Sequence, residues 1–227
     1  MGIVRILLVL IGLFASSAAF AGKISFAGIL DSGDPGCDVT DRSSVCITLL
    51  FSGEIEKGDA EHLSREITKV SDKGNEKIKF RAAEILFDSP GGDLYEAMKI
   101  GKIIRDHLMA TMVTRDSSCS SACVIAYLGG VARMPAGPIG IHSFYSKEFL
   151  GPSDYAVASK RYDDVSLQVE AYLKAMRIPV ALLDEMKNTP HYNIRILKIE
   201  EMQRLGVLGI DPVYAQIRNS NENRTNR

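Results

Sequence analysis

Residues 83–114 read AEILFDSPGGDLYEAMKIGKIIRDHLMATMVT and predict a strand, a loop, a helix and a second strand in succession. The runs 83–87 and 110–114 are predominantly apolar and do not alternate with polar residues, which is typical of strands that are buried on both faces of a sheet. Between them, apolar residues recur at helical spacing over 93–108 and form one stripe. A β-α-β unit of this kind predicts a mostly parallel sheet, built from repeated units and covered by helices. The predicted fold class is therefore α/β.

The loop of this unit also indicates where its helix begins. Asp93 and Glu96 have the three-residue offset of a capping box, in which each residue accepts a hydrogen bond from the backbone N–H of the other. We therefore expect the helix to start directly after Gly92.

The same alternation continues on both sides of this unit. Upstream, 45–51 is a β-branched and apolar run that predicts a strand, and 59–70 has helical spacing. No linker interrupts residues 22–218, which are expected to form a single domain, and the polar residues 219–227 are expected to be unstructured. Downstream, the sequence predicts a helix at 122–128, a strand at 137–144, helices at 155–176 and 181–186, and a strand at 194–197.

The N-terminal segment is typical of a secretory signal peptide. Arg5 precedes an apolar core at 6–14, and the small residues that follow end in AFA at 19–21. This pattern predicts that residues 1–21 are cleaved off and that the mature chain has no membrane span, with an uncleaved N-terminal anchor as the alternative. Export predicts a periplasmic or extracellular location, which is an oxidising compartment without ATP.

The composition excludes two classes of protein. With 46% hydrophobic and 24% charged residues, the 227-residue chain is too apolar to be intrinsically disordered. Lys and Arg number 27 against 28 Asp and Glu, a formal net charge of −1, so no basic field gathers nucleic acid. We therefore expect a globular protein that has no nucleic-acid partner.

Four cysteines fall into two local pairs, Cys37 with Cys46 and Cys119 with Cys123. In an oxidising compartment such pairs favour disulfides. Buried free thiols are the second interpretation and a metal site is the third. Two thiolates alone do not form a zinc site, and no histidine or carboxylate lies close to the second pair in the sequence. We therefore expect neither a metal nor another cofactor.

Three separated segments carry residue types that catalyse acyl transfer. DSPGG (88–92) places two glycines after a strand, where backbone N–H groups turn toward an anion, although the same letters also form ordinary tight turns. SSCSSAC (117–123) places serines at the start of a helix, where serine is also a common N-cap. GIHS (140–143) places a histidine at the end of an apolar strand, where a hydrogen-bonded structural role is the usual alternative. No single one of these segments is specific, and the signal lies in their order and spacing together.

The order of the three segments resembles that of Clp-type serine proteases, and in particular of exported Clp-protease-like proteins in the ClpP/crotonase superfamily. The matching letters are FDSPGG (87–92), CSSAC (119–123) and GIH (140–142), and the likeness extends over about residues 45–214. The resemblance implies a ClpP/crotonase-like fold and a secreted serine peptidase whose substrates are peptides or unfolded chains. It leaves a homo-oligomer open, and because the exported protein has no ATP to use, no ATPase partner is expected.

The resemblance also implies the two main catalytic residues. Ser121 is expected to be the nucleophile that forms an acyl-enzyme, with Ser120 as its nearest rival, and His142 is expected to be the general base. A disulfide between Cys119 and Cys123 would enclose Ser121 and hold its backbone, which would preorganise the nucleophile.

The remaining site residues are implied in the same way. Gly91, Gly92 and Ala122 are expected to bind the substrate, with the N–H groups of Gly92 and Ala122 as the oxyanion hole. The third catalytic residue of the family is an aspartate, and the matching position here is Asn193, which orients an imidazole without supplying a full negative charge. The alternatives for this role are Asp154, Asp163 and Asp164, although carboxylates on or beside a long helix usually just face solvent.

This departure keeps other interpretations open. The main alternative is a catalytically inactive binding or scaffold protein that retains the fold. An acyl-CoA enzyme of the crotonase branch is disfavoured because export separates the protein from CoA. A serine-lysine dyad is a further alternative, for which no single lysine stands out.

Overall fold

A computed structural model describes residues 22–30, 37, 44–75, 78–144 and 155–225. It is a mixed α/β structure, which confirms the predicted fold class. The predicted signal peptide, residues 1–21, lies outside the described residues. In chain order the elements are β1 (Lys23–Leu30), β2 (Ser44–Ser52), α1 (Asp59–Ser71), β3 (Lys79–Asp88), α2 (Leu94–Asp106), β4 (Ala110–Val113), β5 (Cys119–Ser120), α3 (Ala122–Tyr127), β6 (Ala132–Pro135), β7 (Ile139–Ile141), α4 (Tyr155–Ala175), α5 (Ala181–Lys187), β8 (Arg195–Ile196), α6 (Ile199–Arg204), β9 (Gly209–Ile210) and α7 (Pro212–Thr225).

Two sheets form the framework. The larger has the order β1-β2-β3-β4-β6-β9, in which β2, β3, β4 and β6 are parallel and the two outer strands are antiparallel to their neighbours. The smaller has the order β5-β7-β8, with β5 and β7 parallel. The continuous apolar runs of β2, β3 and β4 lie in the buried middle of the large sheet, as their composition predicts.

The outer strand β1 is absent from the sequence prediction, which begins its first strand at 45–51. Of its eight residues only Ile24 is buried, and Phe26 and Ile29 are exposed. A bulge between Phe26 and Gly28 also breaks the alternation. An edge strand with one buried side chain and an irregular register leaves no clear periodicity in the sequence.

The start of α2 confirms half of the predicted capping box. The Asp93 carboxylate accepts a hydrogen bond from the Glu96 N–H at 2.8 Å. The Glu96 carboxylate does not return the bond; it accepts from the N–H groups of Gly58 and Ala60 and so caps the neighbouring helix α1. Burial alone would raise the pKa of Glu96, but these hydrogen bonds and the ion pair with Lys99 outweigh it and lower the pKa. The Glu96 carboxylate thus links its own helix α2 to the start of α1.

The C-terminal region differs from its prediction. Residues 219–227 are expected to be unstructured, yet α7 continues to Thr225. The Asp211 carboxylate starts this helix by accepting from the N–H groups of Val213 and Tyr214. No glycine or proline follows Pro212, so nothing in the sequence stops the helix once it has begun. Among the described residues, no helix is both long enough and apolar enough to cross a membrane.

Helix α3 is held close to α2, and this contact positions the candidate site. A β-carbon on Gly129 would lie 2.1 Å from the Gly101 carbonyl oxygen, so the end of α3 lies against the backbone of α2 with no room for a side chain. The Tyr172 hydroxyl of α4 donates to the Ile125 carbonyl at 2.7 Å and fixes α3 from another side. Every residue of α3 is buried.

Candidate active site

The glycine loop after β3 is held against the backbone of Ile55 by hydrogen bonds on both sides of Gly92. The Gly91 carbonyl accepts from the Ile55 N–H at 2.7 Å, and the Asp93 N–H donates to the Ile55 carbonyl at 2.8 Å. A β-carbon on Gly92 would lie 2.2 Å from that same carbonyl oxygen, and the φ of Gly92 is +136°. Only glycine satisfies both conditions.

Backbone hydrogen bonds join the three segments that the sequence analysis singled out. The Ser120 N–H donates to the Ser89 carbonyl at 3.1 Å, which connects the serine segment to the glycine loop. The Ser121 N–H donates to the Gly140 carbonyl at 2.9 Å, which connects it to the histidine segment. The serine segment is therefore held by main-chain bonds to a loop 31 positions before it and to a strand 19 positions after it.

Ser121 has a strained backbone. Its φ is +58° and its ψ is −129°, a conformation that non-glycine residues rarely adopt and that costs about 1–3 kcal/mol. It stands at the tight turn between β5 and α3, and the same combination of a strand, a strained serine and a helix exposes the nucleophile in α/β-hydrolases. Ser121 lines a cavity.

The neighbouring Ser120 has a different environment. Its side chain is 9% exposed, and a β-carbon on Gly140 would lie 2.5 Å from its hydroxyl oxygen, so the side chain points at the adjacent strand β7. Ser120 does not line the cavity. Of the two candidate nucleophiles, only Ser121 lines this cavity.

His142 follows the last residue of β7 and is half-buried. Its Nδ1 lies 2.7 Å from the carbonyl oxygen of Ser143. A carbonyl oxygen only accepts hydrogen bonds, so this contact calls for a proton on Nδ1, and in the neutral imidazole the lone pair that a general base needs is then on Nε2.

A cavity of about 230 Å³ brings these groups together. Its lining residues are Gly92, Leu94, Ser121, Ala122, Ile125, His142, Ser143, Phe144 and Met186. The backbone N–H groups of Gly92 and Ala122 donate to no acceptor in the described part of the chain, so they remain available to a ligand.

Among the contacts of the described residues, no hydrogen bond joins the Ser121 hydroxyl to His142. Catalytic hydrogen bonds in unliganded enzymes are often long and tighten when substrate binds.

The structure does not bring Asn193 into this cavity. Asn193 is exposed, its N–H donates to the Pro190 carbonyl at 2.9 Å, and no bond between described atoms joins it to His142. Strands β7 and β8 pair through Ile141 and Arg195. His142 and Asn193 both lie beyond this last pair, so Asn193 is at the same end of the small sheet as His142. The resemblance-based assignment of Asn193 as third catalytic residue therefore has no contact to support it.

Both predicted cysteine pairs are bonded. Cys37 joins Cys46, and Cys119 joins Cys123, with no free cysteine among the described residues. Cys119 and Cys123 are fully buried, and their bridge spans the turn that carries Ser121. In the same described residues, no group of three or more histidines, cysteines or carboxylates is arranged to hold a metal ion.

Comparison with solved structures identifies the architecture. An asparagine-to-aspartate mutant of ClpP1 from Listeria monocytogenes matches with a TM-score of 0.51 and 17% sequence identity, over 71% of this chain and 88% of that one. The chain has a Clp-protease-like fold. Identity this low shows the fold alone.

Two other solved structures match less closely. ClpP1 from Listeria monocytogenes gives a TM-score of 0.47 at 17% identity, over 71% of this chain and 88% of that one. A serine-to-alanine mutant of the 1510-N membrane-bound stomatin-specific protease gives 0.45 at 19% identity, over 70% of this chain and 75% of that one. No family model and no curated protein matches the sequence.

Proposed function

We propose that this protein is an exported serine peptidase with Ser121 as its nucleophile. The observation that carries the proposal is that one cavity is lined by a strained serine, by a histidine whose Nδ1 lies beside a carbonyl oxygen, and by two residues whose backbone N–H groups have no acceptor among the described residues. A serine hydroxyl is inert until a base takes its proton, and the oxyanion that then forms needs donors already in place. The three features of the cavity support an assignment of these three roles.

The reaction follows from these positions. The Ser121 oxygen attacks the substrate carbonyl while its proton moves to Nε2 of His142, and the resulting oxyanion accepts from the N–H groups of Gly92 and Ala122. As the tetrahedral intermediate collapses, the C–N bond breaks and the imidazolium returns the proton to the departing amine. Water then attacks the acyl-enzyme by the same route and releases Ser121.

The lining of the cavity indicates the substrate class. Leu94, Ile125, Phe144 and Met186 give it an apolar wall, and His142 is its only ionisable side chain in the described part of the chain. Such a wall favours an apolar side chain beside the scissile bond and disfavours a charged one. We therefore propose peptides or unfolded chains with exposed apolar residues as substrates.

The two disulfides support the proposed location. Bridges of this kind persist in oxidising compartments and are rare where glutathione keeps thiols reduced. Together with the N-terminal pattern of residues 1–21, they favour a periplasmic or extracellular protein that acts without an ATP-driven partner.

A fluorophosphonate probe tests the assignment of the nucleophile without a known substrate. The serine oxygen displaces fluoride from phosphorus, so we expect one covalent label on the mature protein, which peptide mass spectrometry would map to Ser121. Ser120→Ala is the matched control and should label as the wild type does, whereas Ser121→Ala should not label. Labelling that persists in Ser121→Ala would overturn the assignment of Ser121 as the nucleophile, and a wild type that never labels contradicts the peptidase.

The second candidate function is an inactive binding protein that retains the fold. It is favoured by the lack of a hydrogen bond between Ser121 and His142 in the described contacts and by the asparagine at position 193. This candidate predicts that apolar peptides bind the wild type and Ser121→Ala equally, while the fluorophosphonate labels neither. Labelling of Ser121 excludes it.

The disulfide around Ser121 gives a further prediction. Removal of Cys119–Cys123 by alanine at both positions is expected to lower the free energy of unfolding by about 2 kcal/mol and also to slow labelling, because the turn that holds Ser121 loses its closure. Removal of Cys37–Cys46 is the control, since it closes a similar short loop elsewhere and should cost stability without slowing labelling. Equal labelling rates in the two double variants would show that the Cys119–Cys123 bridge does not preorganise the nucleophile.

A further inference from the structure

The hydrogen bond on Nδ1 of His142 identifies what orients the base. In serine hydrolases with a full triad, an acidic side chain accepts from this nitrogen, fixes the tautomer and holds the ring. Here the acceptor at 2.7 Å is the backbone carbonyl of Ser143, the next residue in the chain. We propose that this carbonyl takes the place of the acidic residue, so that the site is a serine-histidine dyad oriented by the main chain. The inference rests on the proposed function for the role of His142.

The carbonyl belongs to a peptide segment that is itself held in place. The Ser143 N–H donates to the Thr189 carbonyl at 2.7 Å, which ties the segment to the end of helix α5. Thr189 is 4% exposed, its N–H donates to the Met186 carbonyl at 3.1 Å, and its hydroxyl donates to the Glu185 carbonyl at 2.9 Å. Residue 143 is thus anchored to a helix end that is fixed by its own hydrogen bonds, which is what an orienting group requires.

The same segment lines the cavity. Ser143 and Met186 both contribute to its wall, so the segment that is tied to α5 through Thr189 is part of the same site as His142. Asn193 is exposed and makes no contact with the ring among the described atoms. The carbonyl is therefore the acceptor that the geometry supplies, and the side chain favoured by the resemblance is not required.

The substitution of a carbonyl for a carboxylate has a chemical consequence. When Nε2 takes the proton from Ser121, the imidazolium that forms faces a dipole instead of a full negative charge, and the Nδ1 proton stays on the ring throughout. The carbonyl still enforces the productive tautomer. The proton balance of the proposed reaction is unchanged, while the imidazolium is stabilised less than in a complete triad.

Nitrogen-15 NMR of the mature protein tests this inference directly. With ¹⁵N-labelled histidine, and with His142→Gln to assign the signal, Nδ1 of His142 should show the shift of a protonated ring nitrogen and Nε2 that of an unprotonated one. Exposed His107 serves as the internal reference, since an imidazole without such a bond exchanges its proton between both nitrogens. A spectrum in which His142 carries its proton on Nε2, or exchanges as His107 does, overturns the proposal.

Variants of Asn193 supply the second readout. Asn193→Ala should retain the His142 tautomer and label with fluorophosphonate within about threefold of the wild-type rate. If the Asn193 side chain held the ring, its loss would disturb the tautomer and slow labelling by at least about 100-fold, and the proposal would be wrong. The NMR spectrum tests the orienting contact, and the labelling rate tests the proposed function. If the protein does not label but His142 still carries its proton on Nδ1, the peptidase is contradicted and the orienting contact is supported.

Discussion

Replacement of Asp211 by alanine is expected to lower the free energy of unfolding by about 3–5 kcal/mol, the largest stability effect of a single substitution that we predict. Asp211 is 1% exposed, and its carboxylate accepts from Arg105 at 2.8 Å and from Arg177 at 3.2 Å. Without this acid, the nearly buried guanidinium of Arg105 keeps its charge and loses its counter-ion. An unpaired buried charge costs more than the ion pair contributes when intact.

The arginines near Asp211 also donate hydrogen bonds to carbonyls just beyond the ends of several helices, so the loss of Asp211 affects more than the ion pair. Arg105 donates to the Met176 carbonyl at 3.0 Å, just beyond α4. Arg133 donates to the Gly130 carbonyl at 2.6 Å and to the Gly206 carbonyl at 2.8 Å, beyond α3 and α6. These carbonyls have no partner within their own helices, so the arginines satisfy them. Displacement of one arginine therefore disturbs several helices together.

Urea denaturation provides the measurement, with Asp106→Ala as the matched control. Asp106 also pairs with a cation on α2, but both partners are exposed, so its loss should change the free energy of unfolding by less than about 1 kcal/mol. A similar cost for the two variants would show that the Asp211 cluster is no more than a surface ion pair.

The pH dependence of stability gives an independent test through Asp211→Asn. Burial alone would raise the pKa of Asp211, but the Tyr214 N–H and the guanidiniums of Arg177 and Arg105 outweigh it and lower the pKa. A carboxyl with a lowered pKa contributes stability above its unfolded value of about 3.9 and loses it as the pH falls through the folded value. The wild type should therefore lose stability more steeply than Asp211→Asn below about pH 4. If the free energy of unfolding falls equally with pH in both proteins, the pKa of Asp211 is not lowered by folding.

The parts of this fold that the sequence predicts are those governed by local rules. Strand β3, helix α2 and strand β4 follow from apolar periodicity within residues 83–114, and the start of α2 follows from Asp93. Both disulfides join cysteines fewer than ten residues apart, and a short separation favours pairing without knowledge of the fold.

The parts that escape prediction depend on distant or main-chain partners. Asp211 and Arg105 are 106 positions apart, so no local pattern identifies their ion pair. Glu96 fits a capping box in sequence, yet its carboxylate reaches another helix. The acceptor for His142 is a backbone carbonyl, and because every residue has one, no residue type marks this role. The sequence therefore identified Ser121 and His142 as candidates and favoured Asn193 for a contact that the main chain of Ser143 makes.

Gly91→Ala is expected to slow fluorophosphonate labelling by about 100-fold while the protein remains folded, the largest effect on reactivity that we predict outside the nucleophile and base. A β-carbon at this position would lie 2.7 Å from the Ser121 β-carbon and 2.8 Å from the Ser120 carbonyl oxygen. Both obstacles belong to the turn that carries the nucleophile, so relief of the clash displaces Ser121. A shift of about 1 Å in a reacting group is enough to cost about 100-fold in rate.

The matched control for Gly91→Ala is Gly28→Ala, since a β-carbon on Gly28 meets nothing within 4 Å. The φ of Gly91 is +111°, so alanine there also strains the backbone, and the thermal midpoint should fall by a few degrees. The labelling rate of folded protein separates this loss of stability from the displaced serine. If Gly91→Ala labels at the wild-type rate, the loop does not set the position of Ser121, and the strained turn is held by α3 and the Cys119–Cys123 bridge alone.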